Sequence, residues 1–145
     1  MKILIRNIVL FLISFSSFTA YGQHLSKIDS LKKVLKEQKN DTNKVKSLYN
    51  LSFSYVAGSY PDTALVYSQQ ALDLAEKLNY EPGIFWSEIT LCESLAILGN
   101  HPLSLEHSFK ALALAKKLDD TLKLCYANGT GSRSEERRVG KECRS

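Results

Sequence analysis

Apolar residues recur at helical spacing along most of this chain. Leu25, Ile28, Leu31 and Leu35 form one stripe with Lys27, Lys32, Lys33, Lys36 and Lys39 around it, the pattern of an amphipathic helix with a single buried face. No stretch alternates apolar and polar positions for long enough to suggest a strand. Punctuation divides the remainder. Asn40, Asp41 and Thr42 offer side-chain acceptors to the free amides of a following helix. Pro61, Pro82 and Pro102 suit first helical turns, where a missing N–H costs nothing, and Gly58 and Gly99 fall in the turns just before two of them. The chain therefore reads as helices over 25–39, 43–57, 61–79, 82–98 and 102–118, with another starting near Asp119.

A fixed period runs through these helices. Ser68 to Leu78 and Ser108 to Leu118 lie forty residues apart and share seven of eleven positions, and the same offset relates Leu51 to Leu91, Ser54 to Ser94 and Leu65 to Leu105. Periods of this length mark arrays of helical hairpins, in which each unit buries its apolar face on its neighbour. Leu51, Ser52, Tyr55, Ala64 and Ala71 in one unit, and Leu91, Cys92, Leu95, Ser104 and Ala111 in the next, stand where the tetratricopeptide repeat places its leucine, small and aromatic residues. The stretch from Lys44 to Thr121 thus resembles that family. The resemblance implies an all-α, right-handed solenoid of antiparallel helix hairpins, cut short after two complete units over 43–128, with Leu51, Tyr55, Ala64, Ala71, Leu91, Leu95, Ala111 and Leu112 buried. The helix within 23–42 is expected to cap the first unit.

Both ends read differently from the middle. Met1 to Gly22 opens with Lys2 and Arg6, continues through an apolar run and closes on Ala20-Tyr21-Gly22, the anatomy of a cleaved export signal. Its apolar run falls short of the ~20 residues a spanning helix needs. At the other end, the forty-residue period dissolves by Asn128 to Ser132. Residues 23–132 contain no arginine, whereas Arg133 to Ser145 contains four, and that tail back-translates with permitted codons into a widely used short-read sequencing adapter. The expectation is a disordered tail over 129–145, of which 133–145 is translated library sequence. These ends also carry the charge. Between Gln23 and Ser132 twelve lysines balance twelve acidic residues, so the net +4 of the chain belongs to the leader and the tail and gives no ground for nucleic-acid binding.

Chemistry-bearing patterns are sparse. Cys92 takes a small-residue packing position, Cys125 stands near the end of the period and Cys143 lies in the tail; no Cys-x-x-Cys occurs and no cysteine–histidine spacing suits zinc. His24, His101 and His107 have no nucleophile or carboxylate at a spacing that marks catalysis, and no Walker, dinucleotide or Gly-x-Ser-x-Gly motif is present. The expectation is a non-enzyme without cofactor or metal.

What remains is the surface that first helices present. The family's groove-facing positions fall on Lys46, Tyr49, Phe53, Val56, Trp86, Ile89 and Glu93, an aromatic set with few charges that suits anchoring of a peptide or partner protein. The alternative is that Phe53 and Trp86 belong to the core. Tyr49 and Phe53 stand where the family's carboxylate-gripping clamp needs polar residues, which argues against a co-chaperone role. Two functional readings follow: an exported, periplasmic or envelope-located interaction module, or the sensory front of a longer signal-transduction protein, touching the membrane only through its leader or a missing C-terminal part. The order of leader, lysine-rich helix from Ile28 to Lys33, the Asn40–Thr42 link and then repeats is similar to regions that precede bacterial histidine kinases or DNA-binding regulators.

Overall fold

A computed structural model of the chain describes residues 28–142, with side chains through Arg133. The export signal read in Met1–Gly22 lies outside the described residues. Those residues form six helices and no strand: α1 over 28–37, α2 (Thr42–Ala57), α3 (Pro61–Lys77), α4 (Glu81–Leu98), α5 (His101–Lys117) and α6 (Thr121–Glu142). The all-α expectation holds, and the helix boundaries fall within a few residues of those read from the sequence. None of the described helices is long and apolar enough to cross a membrane.

Local chemistry accounts for the starts. The Asp41 carboxylate accepts hydrogen bonds from the amides of Asn43 and Lys44, at 2.9 and 3.0 Å, and so caps α2 as expected. Asn100 Oδ1 accepts from Leu103 N at the start of α5, and Asp120 Oδ1 accepts from Lys123 N at the start of α6. The α3 and α4 starts have no side-chain cap and rely on Pro61 and Pro82 in their first turns.

Four turns end their helices in one way. Ser59, Asn79, Gly99 and Asp119 all have positive φ, between 49° and 83°. After each, an amide bonds back five residues, Tyr60 to Tyr55, Tyr80 to Ala75, Asn100 to Leu95 and Asp120 to Ala115, while the left-handed residue itself bonds back three. This paired pattern satisfies the last carbonyls of each helix. The left-handed residues are spaced by twenty, so the forty-residue period is divided evenly at the level of backbone. Gly58 lies in the first turn, as its place in the sequence suggested, with an ordinary φ of −80°, and Ser59 bears the left-handed conformation.

Consecutive helices from α2 to α6 pack on each other, and α4 also meets both α2 and α6 directly, whereas α3 and α5 do not approach one another. Small residues permit the close passages. Ala64, Ala71, Ala75, Ala111 and Ala115 are fully buried, as are Ser52, Ser68 and Ser104. Ser52 Oγ donates to the Ala64 carbonyl at 2.9 Å and lies 2.5 Å from Ser68 Oγ. Forty residues on, Ser104 Oγ donates to the Cys92 carbonyl at 2.8 Å, so both units join their two helices through a buried hydroxyl. Each such bond contributes about 1 kcal/mol net, and leaving the buried group unpaired would cost more. Of the residues expected in the core, all are buried except Leu112, which is half-buried. Ile28, Leu31 and Leu35 of α1 pack with Leu51, Tyr55, Ala64, Val56 and Tyr67, covering the first unit.

The end of the chain departs from expectation. Asn128, Gly129 and Gly131 are weak helix formers, yet α6 continues through them to Glu142, so the boundary drawn at residue 128 and the disordered tail expected from 129 are corrected. Packing overrides propensity here. Ala127 and Thr130 are buried, Thr130 Oγ1 bonds to the Ala127 carbonyl at 3.0 Å, and a Cβ on Gly131 would come within 2.7 Å of Ser108 Oγ. Gly131 thus lets α6 lie close on α5, and beyond it Ser132 and Arg133 are exposed.

Candidate functional site

The forty-residue register sets side chains on α2, α4 and α6 side by side. Lys46, Tyr49, Phe53 and Val56 follow helical spacing along one face of α2, and Trp86, Ile89 and Glu93 occupy the same register on α4. Trp86 is where the two helices meet. Its ring lies 6.3 Å from that of Tyr49 in a stacked arrangement and 6.0 Å from that of Phe53 edge-to-face. On the other side it meets Tyr126 of α6 at 5.3 Å, again edge-to-face. Four aromatic rings from three helices thereby form one strip, each contact adding about 0.5–1.5 kcal/mol beyond simple burial.

The alternatives of groove and core are both met in part. Phe53 and Trp86 are half-buried and pack on a core cluster of Phe85, Ile89, Ala111, Ala115 and Ala127 while retaining exposed edges. Ile89 is completely buried, so its inclusion among surface residues is corrected: it supports Trp86 from beneath. Lys46 is exposed, whereas Tyr49, Val56 and Glu93 are half-buried.

Tyr126 is the member that sequence reasoning missed. It stands forty residues after Trp86, and extending the register one unit further would have found it. It is 41% exposed, and burial, followed by the nearby Glu93 carboxylate, pushes its phenol above the ordinary range. Burial, followed by the neighbouring Tyr80, does the same to Tyr49. A shallow cleft of about 310 Å³ continues along α6 from Tyr126 to Leu122, Gly129 and Arg133. Polar groups at the strip are therefore two phenols, one carboxylate and one lysine, which suit hydrogen bonding and orientation more than bond breaking.

Elsewhere the structure brings together a pair that the sequence did not reveal. His107 Nδ1 lies 2.5 Å from Glu88 Oε2 between α5 and α4, both side chains nearly buried. Glu106, the sequence neighbour of His107, instead faces Lys110, whose ammonium holds its carboxyl below the ordinary range. His101 is buried at the start of α5, and neither ring nitrogen has a hydrogen-bond partner among the described residues. Cys92 is buried, with its Sγ 3.4 Å from Ser104 Oγ, and Cys125 is exposed. Among the described residues no cluster of histidine, cysteine and acidic side chains could hold a metal ion. Comparison with protein-family models, with curated proteins and with solved structures finds no match to this chain.

Proposed function

We propose that this chain is an exported, non-catalytic interaction module of tetratricopeptide-like, right-handed solenoid architecture, which binds an apolar segment of a peptide or partner protein along α2, α4 and α6. The observation that carries the reading is the strip of Tyr49, Phe53, Trp86 and Tyr126, contributed by three helices of one layer and partly open to solvent. Rigid aromatic side chains lose little conformational freedom on contact and supply most of the energy at peptide-binding surfaces. The forty-residue period and the small residues at the helix crossings support the architecture. The leader over Met1–Gly22 supports export, with a mature chain beginning near Gln23.

Selection of a random peptide library on the full chain tests the binding. Peptides with an apolar or aromatic core are expected, and Trp86→Ala should weaken them by about 2 kcal/mol, roughly thirtyfold, with helicity retained. Selected peptides that bind Trp86→Ala as tightly as the parent would refute the strip as the binding surface. Cell fractionation followed by N-terminal sequencing tests export separately.

A further inference from the structure

The repeat lets one cleft be compared with its own counterpart forty residues later. Between α1, α2 and α3 lies an open cleft of about 330 Å³. Its apolar side is formed by Leu35, Leu48 and Tyr67, and Gln70 contributes an amide. Three lysines, Lys32, Lys36 and Lys44, complete its lining, and no carboxylate does. Lys32 lies over the Tyr55 ring at 5.5 Å and Lys44 bonds to the neutral Asn40 side chain at 2.9 Å. None of the three lysines forms an ion pair within the described residues. Chiefly the Tyr55 side chain, with Tyr67 and Asp29 adding less, holds the Lys32 ammonium above its ordinary range.

In the following unit the corresponding residues carry a different charge pattern, with Lys32 and Lys44 replaced by the apolar Leu72 and Ile84. Leu48 is replaced by Glu88, Tyr67 by His107, Gln70 by Lys110 and Lys36 by Glu76. There the Glu88 carboxylate fills the space between helices, bonded to His107 and within electrostatic reach of Lys110. One unit thus holds its own carboxylate against His107 and near Lys110, while the other presents lysines around an apolar pocket that no carboxylate lines.

We infer that the α1–α2–α3 cleft is a binding site for a small organic carboxylate with an apolar body. The apolar part rests on Leu35, Leu48 and Tyr67, and the carboxylate meets the ammonium groups at the rim. This site is separate from the aromatic strip and independent of the role proposed for it. It also gives α1 a task beyond covering the first unit, because α1 supplies two of the three lysines.

Nuclear magnetic resonance titration of the full chain tests this with benzoate as probe, benzyl alcohol as its uncharged analogue and acetate as a carboxylate without the apolar body. Benzoate should saturably shift the Leu35 and Leu48 methyl signals and the Tyr67 ring signals, with both comparison compounds binding at least about fivefold more weakly. Added salt should weaken benzoate. Lys36→Gln, at an exposed position, should weaken it by about threefold to fivefold with an unchanged circular dichroism spectrum. Leu48→Glu, which copies the second unit's carboxylate into the cleft, should abolish binding. Because Leu48 is buried and that variant can lose its fold, Lys36→Gln carries the decision. Absence of a saturable shift, equal binding of benzyl alcohol, or undiminished binding to Lys36→Gln would each overturn the inference.

Discussion

Replacing Gly83 by alanine sets two known effects against each other. Gly83 is buried in the first turn of α4, where alanine would ordinarily favour the helix by about 1 kcal/mol. The space does not allow it. A Cβ at Gly83 would sit 2.7 Å from Val45 Cγ1 of α2 and 2.5 Å from Tyr80 Cδ1. The Tyr80 ring is half-buried and can swing aside, but Val45 is fully buried and has nowhere to retreat without moving α2 away from α4. Overpacking of this kind costs about 1–3 kcal/mol, so the net expectation is a loss of roughly 1 kcal/mol. In a domain of this size that corresponds to a fall of about 3–5 °C in melting temperature. Urea denaturation of the parent and Gly83→Ala measures the difference, and the cycle completed with Val45→Ala identifies its cause. Val45→Ala alone should cost roughly 2 kcal/mol through the void it leaves, and the added methyl at residue 83 should recover about 1 kcal/mol of that. A Gly83→Ala protein as stable as the parent would refute the close α2–α4 contact.

Two further outcomes follow from the buried polar groups. His107→Ala should cost about 3 kcal/mol because it leaves the Glu88 carboxylate unpaired, whereas Glu88→Leu combined with His107→Tyr, the residues of the first unit, should be neutral or stabilising; chemical denaturation checks both, and a double variant as damaged as the single one would contradict the account. Tyr49 and Tyr126 hold their phenolic protons above the ordinary value of 10.0, so their contribution to stability is intact below that pH and is lost as pH rises through the folded-state values. Ultraviolet titration should show two late-ionising phenols, one of which disappears in Tyr126→Phe.

The helical order of this protein was legible in its sequence because the signals were local and repeated. Asp41 caps α2, prolines open the helices that follow, and alanines and serines return at fixed offsets where helices cross. The candidate site was legible only in part. Trp86 could be placed by register, but whether it faced solvent or core depended on neighbours that spacing alone does not supply. Ile89 shares that register and is buried, since it packs in the cluster with Phe85 and Ala127. The end of the fold was misjudged for a similar reason. Gly131 looks like a helix breaker along the chain and acts as a close-contact residue in space, because what it accommodates is Ser108 on another helix. The Glu88–His107 pair was hidden because its members lie on different helices, and no short motif marks a contact across a turn.

The arrangement around α4 has a consequence for how the molecule opens. Ser87 through Cys92 are buried without interruption, since α4 is enclosed by α2, α3, α5 and α6. Its amides can exchange with solvent only when neighbours on both sides have separated, so their exchange should follow unfolding of the whole molecule, while α1 and the far end of α6 exchange through smaller local openings. Trp86 immediately precedes that enclosed run on the same helix. The aromatic strip is therefore anchored at Trp86 to the slowest-opening segment of the chain, and that anchor would hold while α1 and the far end of α6 fray and close again.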